Sequence, residues 1–430
     1  MKLKDIYRNL NKSLPLFKIM PKEKKRIVFY SSTAPTVFLY KIGNLLKKNN
    51  YETILFTTCE KDRFDYNLYK KAFDKIICSN FRIIKFSFKN INYFLKRTPN
   101  LLKFLISLKT IKPYAIIGVA GSNWQLRLVH KYFFKKFPFI YFPYDILSHF
   151  FVSEEKALEN GTPLSDIEAE KYLFENSDGI MHKGSPQELE PVKGRIFKNI
   201  NLSPIQLSFM PYCSKDFNAP ANQNKLSKED NEFHIAYAGF ISNNPEHITK
   251  IIQYYRDLMK QKIHMHVYLI VTHISKEEEE KYIQDLLAPV INEKYFHLYT
   301  KKFDPIALAI ELSKYDFAFW QSYETNPENL EPIYAVGHKI STYLESGLPI
   351  IYNTNCIFLD DMLTKYGVSV PFNEQNLKNI KKRLKKLNYK EMVRNTLIAR
   401  QDFDMDKNFL RLEKFIKDVA NKKLNKINSL

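Results

Sequence analysis

The chain has 430 residues, too many for one ordinary domain and enough for two. A hydrophobic share of 45% can build real cores, which excludes a mainly disordered chain. Lys+Arg 66 against Asp+Glu 46 leave a net charge of +20, which favours a polyanionic partner.

From the amino end, Lys2, Lys4, Arg8, Lys12 and Lys18 are spread among short apolar pairs. That spacing lacks the continuous apolar core of a secretory signal, so an intracellular setting is expected. Residues 26–30, apolar after Arg26, form a short buried-strand run, followed by the polar loop Ser31-Ser32-Thr33-Ala34-Pro35 and a helical pattern over 36–48. Further apolar runs follow at 53–57, 115–118, 139–142 and 179–181. Continuous rather than alternating runs, separated by helical patterns, predict parallel strands covered on both faces. Basic residues interleave with aromatics in this half, as in Asn92-Tyr93-Phe94-Leu95-Lys96-Arg97 and Lys131-Tyr132-Phe133-Phe134-Lys135-Lys136. Such clusters suit an anionic lipid headgroup layer, or else simply solvate the surface.

Residues 214–233 are polar, with few apolar anchors, and read as a linker. The alternation then restarts. A strand over 234–238 leads through Gly239 to Asn243-Asn244-Pro245, a helix cap followed by proline. Strands are predicted at 264–271, 295–299, 316–320, 348–352 and 368–370, with helices between them. The four cysteines, Cys59, Cys78, Cys213 and Cys356, stand singly, which disfavours a disulfide framework or structural zinc. His264 and His266 alternate on a strand, without ligand spacing that makes a metal site. Asp402, Asp404 and Asp406 nearly spell a calcium loop, but Lys407 occupies the position that needs glycine. No window approaches about 18 uninterrupted apolar residues, so no membrane-spanning helix is expected. The fold class is therefore α/β: two doubly wound, Rossmann-like domains facing a cleft.

Three segments add a resemblance. Ile235-Ala236-Tyr237-Ala238-Gly239 before a capped helix looks like the opening of the donor domain in B-type (GT-B) glycosyltransferases. The run from His338-Lys339-Ile340-Ser341-Thr342-Tyr343 to Gly347-Leu348-Pro349 resembles their lysine-bearing helix and the strand after it. Met210-Pro211-Tyr212-Cys213-Ser214-Lys215-Asp216-Phe217 is similar to their crossover segment, without its glycine. The resemblance implies a basic segment over 1–25, an acceptor domain over 26–213, a linker over 214–233, a nucleotide-sugar domain over 234–395 and a helical tail over 396–430.

It also implies transfer of a sugar from a nucleotide-sugar donor to a saccharide or lipid-linked acceptor, without metal or cofactor. Gly239, Ser242, Lys339, Thr342 and Tyr343 would bind the donor. From position alone, Asp145 and His149 follow a buried strand at the cleft edge of the first half, where a carboxylate or imidazole would orient the acceptor or act as base, and Glu324 lies in a loop after another buried strand, where catalytic residues gather. Two departures stand out. Phe240-Ile241-Ser242-Asn243-Asn244 replaces a cationic phosphate loop, and Thr342 stands where the family has a ribose-binding glutamate. These leave open a CMP-linked donor, or a noncatalytic scaffold that binds a partner enzyme or the membrane. Lys-, Asn- and Ile-rich usage points to an AT-rich bacterial genome. A surface-polysaccharide or lipopolysaccharide pathway at the cytoplasmic face of the membrane fits the charge. No nucleic-acid module is recognised.

Overall fold

The computed structural model describes residues 24–78, 108, 110–241, 244–269, 276–321 and 328–428. The site candidates Ser242 and Glu324, the 92–97 basic cluster and most of the 1–25 segment lie outside these residues.

The first sheet comprises β1 (Arg26–Ser31), β2 (Glu52–Thr57), β3 (Lys75–Cys78), β4 (Ala115–Ala120), β5 (Phe139–Pro143), β6 (Gly179–His182) and β7 (Gln206–Ser208). Its spatial order is β3-β2-β1-β4-β5-β6-β7, with every pairing parallel. The second sheet comprises β8 (His234–Gly239), β9 (His264–Leu269), β10 (Phe296–Tyr299), β11 (Phe317–Trp320), β12 (Ile350–Asn353) and β13 (Ser369–Phe372). Its order, β10-β9-β8-β11-β12-β13, is also wholly parallel. Each order reverses at one place, β1/β4 and β8/β11, and such reversals open a crevice at the carboxyl ends of the strands.

The apolar runs behave as a two-sided sheet demands. Ile27, Phe29, Leu55, Ile117 and Ile140 enter one core, and Val28, Tyr30, Ile54, Phe56, Ile116 and Tyr141 enter the opposite one. The first of these cores runs on into Ala236, Ala238, Ala318, Ile350 and Tyr352 of the second sheet. Thus the two domains share buried apolar side chains and are not merely tethered.

The segment between the sheets carries anchors that its polar composition hides. Phe217 is buried and stacks on Tyr40 of the helix Val37–Lys48. Lys225 is buried and donates to the Ser313 and Tyr315 carbonyls. At the other end, the helix Phe409–Asn428 crosses back to the first sheet. Phe415 and Val419 pack on Gly179, and Lys423 pairs with Asp178 at 3.1 Å. The carboxylates of the Asp402–Asp406 acidic run are paired with lysines: Lys215 lies 2.9 Å from Asp404 and 3.3 Å from Asp406, and Lys407 lies 3.1 Å from Asp402.

Candidate functional site

At the second reversal, β8 ends in Gly239 at φ +153°. A Cβ there would lie 2.9 Å from the Lys339 side chain, and the positive φ itself favours glycine. Lys339 opens the helix Lys339–Glu345. Its ammonium donates to the Tyr237 hydroxyl at 3.1 Å and lies over the rings of Tyr237 and Trp320. Among the described residues it forms no ion pair, so its charge is held by a hydroxyl and two aromatic faces. Gln321, buried at the end of β11, sits beside the same Tyr237 hydroxyl.

Tyr343 is fully buried. Its hydroxyl accepts from the Ala238 amide and donates to the Phe319 carbonyl, both at 3.2 Å. With both bonds taken by backbone, Tyr343 positions β8 against β11 instead of meeting a ligand. Thr342 is half-buried on the same helix.

Across the cleft, the carboxyl ends of β5 and β6 supply Tyr144, Asp145 and Lys183. Lys183 is buried, 3.1 Å from the largely exposed Asp145 carboxylate and over the Tyr144 ring. Burial works against its charge, but Asp145, Tyr144, Glu331 and Glu188 outweigh that and hold it protonated. Burial pushes the Glu331 carboxyl up, opposed by the Lys183 and Lys339 cations. Glu331 therefore lies within the fields of both lysines, one from each side. The Tyr144 hydroxyl bonds His338 Nε2 across the cleft. Burial, with Lys183 and Lys41 adding to it, keeps that imidazole neutral.

His149 does not fit the role of a base. It is buried, its Nε2–H donates to the Glu188 carbonyl at 2.8 Å, and burial lowers its basicity. Its own carbonyl accepts the Leu330 amide at 2.8 Å, and its ring stacks on Tyr334. It joins the domains. This corrects the expectation that His149 acts on an acceptor.

The arrangement thus brings Gly239 and Lys339 together on one wall and leaves Asp145 on the other. Lys183, Glu331, Tyr144 and His338 were not anticipated. Lys183 carried a readable signal, because it directly follows a buried strand whose carboxyl end must face the cleft. Glu331 and His338 carried none, since their importance comes from residues about 150 to 190 positions away. At the first reversal, Ser32 Oγ accepts the Gly121 and Ser122 amides at 3.0 and 2.9 Å, which ties the β1 and β4 loops into one rim.

Two facing Rossmann-like domains, each a parallel sheet with one reversal of strand order, define the GT-B architecture. By sequence, the chain matches no family model and no curated protein. By structure, it is similar to a glycosyltransferase from Rickettsia africae at TM-score 0.61 and 12% identity, covering 92% of this chain and 98% of that one. HepE from Anabaena, solved with UDP-glucose, gives TM-score 0.59 and 13% identity over 94% of this chain and 100% of its own. TarM gives TM-score 0.55 and 12% identity, covering 95% and 99%. These likenesses establish the fold.

Proposed function

We propose that this protein is a glycosyltransferase that moves a sugar from a nucleotide-sugar donor to a saccharide or lipid-linked acceptor. The observation that carries the reading is the pairing of Lys339 with Gly239 at the carboxyl end of β8. A glycine at that strand end would let a phosphate approach the backbone, and Lys339 is a cation without a carboxylate partner among the described residues. Its charge would stabilise the nucleotide leaving group as the glycosidic bond breaks. The solved similar protein HepE binds UDP-glucose, which supports a nucleotide-sugar donor here.

Asp145 and Glu331 are the cleft carboxylates that an acceptor hydroxyl would meet, with Lys183 setting the charge between them. The shared core and the bonds across the cleft would exclude water from the activated sugar. The exposed turn at Lys131, Tyr132, Phe133, Lys135 and Lys136 supports docking on anionic lipid beside a lipid-linked acceptor. A bacterial surface-polysaccharide pathway is consistent with that arrangement.

Thermal denaturation with UDP, GDP, CDP, ADP and CMP tests the donor. A nucleotide at 100 times its Kd should add about 2.7 kcal/mol of stability. Lys339→Ala should lower kcat for transfer by about 10²–10³-fold with the fold intact. Full activity in that variant, or no shift with any nucleotide, would overturn the reading in favour of a scaffold.

One observation favours a CMP-linked donor as the second reading. Lys250, the next cation after Gly239, is engaged with Glu374 at 2.7 Å, which leaves Lys339 to meet the phosphates. A shift with CMP and none with the diphosphates would select it.

A further inference from the structure

The amino-terminal edge of the second sheet, at the opposite end from the cleft, carries a cluster that transfer does not use. Four of the chain's ten histidines meet there. His234 begins β8, His264 begins β9, His266 lies two residues on, and His297 is the second residue of β10. Register sets His234 opposite His264 and His266 opposite His297. Alternate residues of a strand share a face, so all four rings stand on one side of the sheet. Their centroids are 4.3 Å apart in the first pair and 4.4 Å in the second. One ligand atom from each of His234, His264 and His266 lies within 4.8 Å of the others.

Asp230 closes the cluster from outside the sheet. Its carboxylate is 3.3 Å from His234 Nε2 and 3.0 Å from His264 Nε2. Ligand atoms on a tetrahedral ion with bonds of about 2.1 Å are separated by about 3.4 Å. Behind these atoms, His234 Nδ1 is 2.9 Å from His266 Nε2, and His264 Nδ1 is 2.8 Å from His297 Nε2. His266 Nδ1 in turn reaches the Tyr299 hydroxyl at 3.1 Å. Each imidazole facing Asp230 therefore has a second imidazole behind it, which can accept its Nδ1–H once Nε2 is bound to an ion. This is the outer support that metal-binding histidines require.

We propose that Asp230, His234 and His264 form a site for a divalent transition-metal ion, of which Zn²⁺ is the representative, with His266 and His297 orienting the two imidazole ligands. Two nitrogens and a carboxylate oxygen suit such an ion better than Mg²⁺ or Ca²⁺, which prefer all-oxygen shells. Entry is open, since the Asp230 side chain is 38% and that of His264 14% exposed. Asp230 ends the short helix Ser227–Asp230 in the segment that joins the domains, and Asn231 then turns at φ +61° into β8. A bound ion would fasten that segment to β8 and β9. Its role is to hold the second domain's entry strand, and it takes no part in transfer.

The test uses the full, untagged chain, stripped with a chelator. Titration with Co²⁺ should give the visible absorption of a tetrahedral site at one equivalent per chain, and Zn²⁺ should displace it. Zn²⁺ should raise the thermal midpoint, while Mg²⁺ leaves it unchanged. His264→Gln should weaken binding by more than about tenfold. Asp230→Asn keeps an acceptor at a partly exposed position, so it serves if the histidine variant does not fold. No Co²⁺ spectrum and no retained Zn²⁺ in the unaltered chain would overturn the proposal. Equal affinity in the folded variants would do so as well.

Discussion

Individual residues here are defined by what surrounds them. Tyr343 and Lys339 lie one helical turn apart, yet one is locked to the backbone of β8 and β11 and the other presents its charge at the cleft wall. Glu170 shows the same dependence. It is fully buried, accepts the Leu147 amide at 3.2 Å, and is pushed up to about 8 by burial, which the Leu147 and Asn123 hydrogen bonds oppose. The sign of the linkage follows, because the folded value lies above the unfolded one. Its contribution to stability is complete below about pH 4.5 and is lost as the pH rises through about 8. Glu170→Gln should remove that decline. Urea unfolding across this window should therefore show stability falling more steeply in the parent than in the variant, by a few kcal/mol in total. Parallel curves would contradict the assignment.

At the scale of elements, the central strands were legible because both of their faces are buried. An unbroken apolar run such as residues 27–30 has few other uses in a protein core. The edge strands β3 and β7 were not legible. Lys75 opens the first and Gln206 and Ser208 flank a lone leucine in the second, and an edge strand needs only one side of its backbone paired. The C-terminal helix Phe409–Asn428 was expected as a tail, but its apolar stripe fits the first sheet. The helix packs closely on Gly179, where an added Cβ would lie 2.4 Å from Val419. Gly179→Ala should consequently cost about 1–3 kcal/mol by overpacking. Denaturant unfolding measures it, and an unchanged midpoint would show that the helix yields freely.

For the whole molecule, one ion pair reports how the domains are joined. Lys41, on the helix Val37–Lys48, meets Glu345 on the helix Lys339–Glu345 at 2.6 Å, with both side chains almost wholly buried. Lys41 also donates to the Tyr212 carbonyl and Ser341 Oγ, and Glu345 accepts the Ser214 amide. Removing one partner strands the other charge. Lys41→Ala should therefore cost about 3–5 kcal/mol. The Lys41→Met, Glu345→Gln double variant should recover part of that, because no charge is left buried. A loss below about 1 kcal/mol in the single variant would mean that water reaches the interface.

The order of apolar runs, turns and caps by itself determined two parallel α/β sheets, and with them a cleft at the carboxyl ends of the strands. Burial on both faces writes itself locally, as a run of consecutive apolar residues. The same reading drew attention to Gly239 and Lys339, since a glycine after a strand and a lysine at a helix start are local features. Only the tertiary structure decided that Lys183 and Glu331 share a cleft, that His149 is an interdomain joint, and that four histidines on three strands form one cluster. Those relations depend on strand register and on the docking of two domains. Neither is encoded in the spacing of neighbours along the chain, because residues far apart in sequence meet only when the sheets close over a common core.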